Sequence, residues 1–497
     1  MEIELKLQLS AMAVPALAKM LKDKGGHLSS MHAHYYDSAA HDLFNAGIAL
    51  RLRKEGGAWV QTLKVSDQSG ALARQEHTVP VKLERGADPA LDIERHRHAD
   101  GWLVLERVMR AGHQPTLRRA FSTHVKRTTA QARTRHGKIE YALDQGQITA
   151  SHHQTDGPSN EVALTQPVCE LEIELVSGSP MAIIEAAIVL LKRHALWLDS
   201  RSKSVRGDAL SRGLQIVEAR KASAITFAPD ISQAVLVRIV IAECIQQVLS
   251  NASQVASVDA YEPEHIHQLR VGLRRLRTAI RLFGLADHAA SQTWETHAQT
   301  LAEAVGHTRD LDMIAATLLP ALQLPHAPQI DLGASYKAQS PTEILREKDT
   351  QIWLLELVAW QLSTPAETEN TPCAAILPKI KKWHTRCVHG AAHFETFSIV
   401  QRHQLRKQMK RLRYGLEFVE PLCKPSTFRA HTKVLSKAQA ALGDYNDLHT
   451  ALAYFHLIVP QQPEAWFAVG WLGGQIEKSE RRCVRVLRKF SQVTFPF

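Results

Sequence analysis

The chain has 497 residues, with 60 Lys and Arg against 50 Asp and Glu, for a formal charge of +10. That length exceeds one ordinary core and predicts two or three domains, and the positive balance favours polyanionic partners such as phosphates, nucleic acid or anionic membrane. The six cysteines are scattered with no C-x-x-C pair, which argues against a disulfide framework or a zinc site and fits a reducing cytosol. No apolar run suggests a membrane span, and strand sequence begins at once rather than a leader.

In chain order, Met1 to Leu9 alternates Glu2, Glu4, Lys6 and Gln8 with Ile3, Leu5, Leu7 and Leu9, so one strand face is apolar and the other ionic. A helix follows over Val14 to Lys24, and strands are predicted at 47–54, 58–65, 73–81, 102–108, 121–128, 138–144 and 168–176. Together with the first, these eight segments can close an antiparallel barrel. The apolar helix Pro180 to Leu198 and the first helix are expected to cover its outward faces. Residues 147–167 read as an expanded loop, and the pairs His32/His34 and His96/His98 as loop or surface positions.

Residues 211–230 read as a linker, with Ala228-Pro229 inside it, and a long periodic helix opens at Ile231. The stretches 320–341 and 363–372 read as loops. An internal repeat dominates this half: His267-Gln268-Leu269-Arg270, with Arg274 and Arg277 beyond, recurs as His403-Gln404-Leu405-Arg406, with Lys410 and Arg413. Each copy is followed by a short acidic turn, Gly306 to Asp312 and Leu442 to Asp447. The fold class is therefore an α+β N-terminal domain with an eight-stranded antiparallel sheet over 1–210, then an all-α domain over 231–490 with two helical repeats.

Alternating charge on one strand is most often a solvated face. Here it recurs: Arg51 and Arg53, Lys64, Arg74 and Glu76, Glu140 and Asp144, and Glu170, Glu172 and Glu174. So many like charges on one face call for compensating ions. Hard carboxylate oxygens suit Mg²⁺ or Mn²⁺, and Arg and Lys suit phosphate. Phosphoryl transfer needs positioning and charge stabilisation more than a covalent nucleophile, so water can attack.

The set Glu2-x-Glu4-x-Lys6, Tyr35-Tyr36-Asp37-Ser38, Ala49-Leu50-Arg51-Leu52-Arg53, Trp59 to Lys64, Leu143-Asp144-Gln145-Gly146, Glu170/Glu172/Glu174 and Ser202-Lys203-Ser204-Val205-Arg206-Gly207 resembles the CYTH domain of the triphosphate tunnel metalloenzymes, over residues 1–210. The resemblance implies an eight-stranded tunnel acting on triphosphate with Mg²⁺ or Mn²⁺. It implies Glu2, Glu4, Glu170, Glu172 and Glu174 as metal ligands, and Lys6, Arg51, Arg53, Lys64, Arg74, Arg127, Lys203 and Arg206 as triphosphate contacts. Lys6, Arg51, Arg53 and Asp144 take the catalytic roles, Asp144 binding metal or orienting water. Ser38 stands where the family often has Thr.

On the repeat helices, His267, Arg270, Arg274 and Arg277 form a basic row beside Leu269, Leu273 and Leu276, and His403, Arg406, Lys410 and Arg413 repeat it. These repeats resemble the CHAD domain, which implies a surface for inorganic polyphosphate. The reading is a cytoplasmic inorganic triphosphatase cleaving tripolyphosphate to pyrophosphate and phosphate, with no membrane partner. The alternatives are a non-catalytic polyphosphate-binding protein and a triphosphatase for thiamine triphosphate or nucleoside triphosphates. Nucleic-acid binding ranks last because no aromatic stacking motif accompanies the basic helices.

Overall fold

The structure, a computed structural model, describes residues 2–66, 73–82, 89–111, 115–153, 161–257, 260–285, 289–306, 314–324, 327–332, 339–363 and 371–497. The chain forms two compact units. One comprises residues 1–220, 249–265 and 345–364; the other comprises 221–248, 266–344 and 365–497.

The first unit contains β1 (Glu2–Leu9), α1 (Val14–Asp23), β2 (His27–Asp37), β3 (Ile48–Glu55), β4 (Ala58–Ser66), β5 (Ala73–Val81), α2 (Trp102–Arg110), β6 (Arg118–Thr134), β7 (Gly137–His153), β8 (Glu161–Gly178), α3 (Met181–Arg193), β9 (Leu196–Leu198) and α4 (Lys203–Ser211). The strand order is β5-β4-β3-β2-β6-β7-β8-β1-β9, and an additional β5–β1 pairing closes the first eight into a ring. Closure rests on Glu2↔Arg74 and Ile3↔Ala73. Further along the same edge of β1, β9 takes over where β5 ends, pairing Leu7 with Leu198 and Leu9 with Leu196. The sheet is thus the expected eight-stranded ring plus a short ninth strand.

At β1 and β8 the ring is apolar outside and ionic inside. Leu5 and Leu7 of β1 and Leu171 and Ile173 of β8 have no exposed surface. They lie beneath α3, whose Ile183, Ile184, Ala187, Leu190 and Leu191 are likewise buried. Burying each such Leu or Ile stabilises the fold by roughly 1.5–3 kcal/mol.

Three expectations are corrected here. Residues 102–108 are the helix α2, not a strand: Trp102, Leu105, Val108 and Met109 fall at helical spacing and pack on Leu50, Leu63 and Val65, which leaves Leu103 exposed. The unpredicted β2 fills the place, between β3 and β6. Most of 147–167 is strand, because β7 and β8 run on as a long hairpin with Ile148 paired to Gln166. Three of the four histidines also differ from expectation: His98 is exposed, but His32 and His34 lie within β2, and His96 is completely buried, hydrogen-bonded to Gln61 and His77 at 3.0 and 2.9 Å.

The rest of the chain is helical: α5 (Gln233–Ala256), α6 (Pro263–Phe283), α7 (Ala289–Ala304), α8 (Lys348–Leu362), α9 (Leu377–Ala392), α10 (Ile399–Phe418), α11 (Pro425–Ile458) and α12 (Trp466–Phe490), with short helical turns between them. Helix α5 is, by length and composition, apolar enough to cross a bilayer, and half of that stretch is buried within the protein. Its polar members Gln247, Asn251, Ser253 and Gln254 are also buried. The repeat helices are α6 and α10, which bury Leu269, Leu273 and Leu276, and Leu405, Met409 and Leu412. The expected acidic turn Leu442 to Asp447 is instead helix interior. Ala438, Ala441, Leu442 and Tyr445 are buried at helical spacing, and this packing outweighs the roughly 1 kcal/mol cost of Gly443. In the first copy, His307 to Asp312 lies outside the described residues.

Candidate functional site

Ring order decides which side chains share the interior. In a ring of eight strands β3 and β8 stand opposite each other. On the acidic side, Glu4 pairs in register with Glu174, Lys6 with Glu172 and Gln8 with Glu170, while Asp144 of β7 lies beside Glu170 of β8 and beside Arg127 of β6. On the basic side, Ala49 lies beside Lys64, and Lys64 beside Glu76. These strands enclose a cavity of about 210 Å³ lined by Glu4, Lys6, Arg51, Arg53, Lys64, Glu76, Arg127, Asp144, Glu172, Glu174 and Lys203. Tyr35, Phe44 and Ile48 add an apolar stretch of wall.

Within the cavity, cations and carboxylates neutralise one another. The Arg127 guanidinium forks onto both oxygens of Asp144 at 2.7 Å, and also meets Glu172 and, at 3.7 Å, Glu174. Lys203 reaches Asp144, Glu170 and Glu172, the last at 3.1 Å. Lys6 pairs with Glu4 and lies 3.6 Å from Glu172. Arg51 lies 3.6 Å from Glu76, which also receives Lys64. Burial alone would raise the Glu172 pKa, but Lys203, Arg127 and Lys6 outweigh it and hold the carboxyl well below its usual range. Burial likewise opposes the charge on Lys203, yet Glu170, Glu172 and Asp144 push its pKa up. For Arg53, burial and then the neighbouring Arg51 depress the pKa.

The floor is set by α4, where the Ser202 hydroxyl caps the helix by accepting from the Val205 N–H at 3.2 Å. Gly207 allows the close approach. A Cβ there would lie 2.2 Å from the Phe121 ring, which is itself stacked on Tyr35 at 4.4 Å.

In the helical unit, the second basic row meets the acidic segment of its own repeat. His403 Nδ1 lies 2.6 Å from Asn446 Oδ1, and Arg406 lies 3.7 Å from Asp447. In the first repeat, Arg270 donates to the Gly306 carbonyl at 3.4 Å, where the corresponding segment begins. Arg277 bonds Gln299 at 2.6 Å and Arg413 bonds Glu417 at 2.7 Å, while Arg274 and Lys410 are half-buried on the same rows. For His403, burial is the largest influence, and with Lys407, Arg406 and Lys410 it outweighs the Asn446 bond and lowers the pKa.

The CYTH domain family model matches residues 1–207, and the CHAD domain family model matches residues 239–456. The chain is a CYTH domain followed by a CHAD domain. An inorganic triphosphatase of Haemophilus influenzae is 29% identical over 214 residues, which are 41% of this chain and 54% of that protein. The chain thus matches about half the length of that curated relative. Among solved structures, the CHAD domain from the plant Ricinus communis is 25% identical, covering 56% of this chain and 98% of its own, with a TM-score of 0.47. A Hippeastrum protein described as a putative adenylyl cyclase with a dominant triphosphatase activity is 18% identical, covering 43% and 97%, with a TM-score of 0.30.

Of the residues predicted for the CYTH domain, Lys6, Arg51, Arg53, Lys64, Arg127, Asp144, Lys203, Glu4, Glu172 and Glu174 all line the one cavity. Glu170 and Arg206 do not line it. They pair with each other beside it, at 1% and 3% exposure, and Glu170 also accepts from Lys203. The side chains of Glu2 and Arg74 lie outside the described residues. Glu4, Glu172 and Glu174 each offer a carboxylate oxygen, all within 4.8 Å of one another, and so do Asp144, Glu170 and Glu172. Oxygen-only donor sets of this kind fit a hard divalent cation such as Mg²⁺ or Mn²⁺ rather than a thiophilic metal. A third group, Asp37, His41 and Asp208, fits less well, because Asp37 already accepts from the backbone N–H groups of Ser38, Leu43 and Phe44. No role was foreseen for Tyr35. Its hydroxyl accepts from Arg51 at 3.3 Å, and although burial raises its pKa, Arg51 draws it below the ordinary value. The Tyr35-Tyr36-Asp37 motif was its only signal.

Proposed function

We propose that the CYTH domain is a metal-dependent inorganic triphosphatase cleaving tripolyphosphate to pyrophosphate and phosphate, and that the CHAD domain binds inorganic polyphosphate. The first part rests on one observation: three carboxylates, each offering an oxygen within 4.8 Å of the others, share a cavity with Arg51, Arg53 and Lys64. Glu4, Glu172 and Glu174, joined by Glu2, would hold Mg²⁺ or Mn²⁺, which supplies Lewis-acid neutralisation of phosphate oxygens. Arg51 and Arg53 clamp and orient the phosphate chain as planar forks, with Lys6, Lys64, Arg74 and Lys203 as point or forked charges along it. A bound triphosphate takes up the valence of Arg127 and Lys203, which frees Asp144 to orient the attacking water. Glu170 and Arg206 act through Lys203 by fixing it. The setting is cytoplasmic.

Phosphate release from tripolyphosphate, longer polyphosphate, ATP and thiamine triphosphate, with Mg²⁺, Mn²⁺ or EDTA, tests this. Turnover of tripolyphosphate is expected to require metal and to fall by about 10²-fold or more in Glu4→Ala. A folded protein without metal-dependent turnover of any of the four substrates would overturn the enzymatic reading. For the CHAD domain, Arg270→Ala combined with Arg406→Ala is expected to weaken long-chain polyphosphate binding while leaving tripolyphosphate turnover largely intact. Unchanged long-chain affinity in a folded double variant would sink that assignment.

A further inference from the structure

The tunnel floor is tied to residues far beyond the CYTH match, through a run of buried polar side chains. Trp197 Nε1 donates to Gln8 Oε1 at 3.1 Å, and Gln8 Nε2 donates to Asp199 at 2.5 Å. Asp199 accepts both Nε and Nη2 of Arg201 at 2.9 Å, as well as the Arg201 backbone N–H at 2.9 Å. The remaining guanidinium nitrogen, Nη1, donates to Gln254 Oε1 at 2.6 Å, and Gln254 Nε2 is anchored on the Ala260 carbonyl at 2.9 Å. Next to it, Ser253 Oγ accepts from the Ser200 N–H at 2.9 Å. Asp199, Arg201, Ser253 and Gln254 are all less than 5% exposed.

The position of this run gives it significance. Arg201 is followed directly by Ser202, the cap of α4, and by Lys203, the cation shared among Asp144, Glu170 and Glu172. At the other end, Gln8 continues the inward face of β1 after Glu4 and Lys6, and the Asp199 N–H donates to the Lys6 carbonyl at 2.9 Å. A buried ion pair is held in place by the acceptors its donors find, so removing the Gln254 oxygen takes away the acceptor that orients Arg201 Nη1 next to the floor. The simplest relief is movement of Arg201, and Lys203 moves with it. Displacements near 1 Å at a charge-positioning group cost up to about 10²-fold in function.

We infer that Gln254, acting through Arg201, is a positioning residue for Lys203, so that the triphosphate site is completed from helix α5. The inference rests on the tunnel being a triphosphate site, and the experiment separates the two. Tripolyphosphate affinity is measured by calorimetry in EDTA on the full chain, with thermal unfolding recorded for every variant. Wild-type protein that neither binds tripolyphosphate in EDTA nor turns it over with Mg²⁺ or Mn²⁺ would defeat the tunnel reading itself, before any variant is compared.

Given wild-type binding, Gln254→Leu is expected to weaken affinity by about tenfold and Lys203→Met by more, with the double variant no weaker than Lys203→Met alone. Unchanged affinity in Gln254→Leu, or losses that multiply in the double variant, would overturn the inference, because a merely structural defect adds to the loss of Lys203 rather than vanishing within it. Should Gln254→Leu fail to unfold cooperatively, Ser253→Ala, which removes the hydroxyl that meets the Ser200 N–H, the Ser200 hydroxyl and the Leu198 carbonyl, takes its place. The same non-additivity is then expected at a few-fold.

Discussion

Lys203 illustrates how much a single side chain holds together here, since one ammonium serves Asp144, Glu170 and Glu172. Lys203→Met leaves buried carboxylates partly uncompensated and is expected to destabilise the protein by roughly 3–5 kcal/mol. It also changes the acid response. The Glu172 carboxyl is held far below its ordinary value of 4.5, so its contribution to stability is complete above that value and is lost only as pH falls through the lower folded-state value. Without Lys203 that window moves up, and acid unfolding followed by near-ultraviolet circular dichroism should begin at higher pH than in wild type. His431 acts in the same sense, over a higher pH range. Burial, and then His384, bring its pKa down to about 4, and neither ring nitrogen has a hydrogen-bond partner among the described residues. It folds neutral but unfolds into a form that binds a proton below about pH 6.5, so stability falls as pH drops from 6.5 towards 4. His431→Phe should flatten the decline of melting temperature between pH 7 and pH 5, and an unchanged slope would refute this. The ionic residues of the tunnel were legible because charge at every second position cannot hide in a strand. Tyr35 and His431 were not, since their roles depend on neighbours distant in sequence.

Elements were legible where period and burial agreed. In β1, β3 and β8, alternation told both the strand and the face that turns inward, since each has an apolar side covered by helices. It failed for β2, whose inward side carries Met31, Ala33 and Tyr35 while its outward side carries His32 and His34. That inversion of the usual pattern left no strand signal. The valine- and leucine-rich start of α2 misled in the other direction, because β-branched composition outweighed a helical spacing visible only once Leu105 has a partner. Helix α4 offers a test at this scale. Gly207→Ala would place a methyl 2.2 to 2.6 Å from the Phe121 ring, so α4 or the ring must move. A loss of about 1–3 kcal/mol in stability is expected, together with a larger fractional loss of triphosphate turnover than of folded protein, because Phe121 backs the Tyr35 that holds Arg51. Equal losses of both would show that α4 is only a packing element.

At the scale of the whole molecule, the tunnel unit is not a contiguous stretch of chain, since it draws in residues 249–265 and 345–364. The Leu198 N–H donates to Gln351 Oε1 at 2.7 Å, and the Arg346 guanidinium lies 3.9 Å over the Trp197 ring. A chain ended at Arg220 would uncover Trp197 and Leu198, at a cost of roughly 2–3 kcal/mol for each large side chain exposed. Its melting temperature should therefore fall below that of the tunnel unit in the full chain, and an equal value would refute this. Composition and repeats announced two parts but not this interleaving, because the polar residues that carry it within the tunnel unit, Gln254 and Gln351, resemble any other helix glutamine until their partners are known. The non-contiguous unit also has a consequence in time. During synthesis, β8 can close the ring once residue 178 has emerged, but the acceptors for Arg201 and Leu198 arrive only with residues 254 and 351. At ~5–20 residues per second, that leaves the nascent barrel with an unbraced floor for roughly 10–35 s. Throughout that interval its crowded interior charges depend on one another, or on whatever small ions the surrounding fluid supplies, to stay in place.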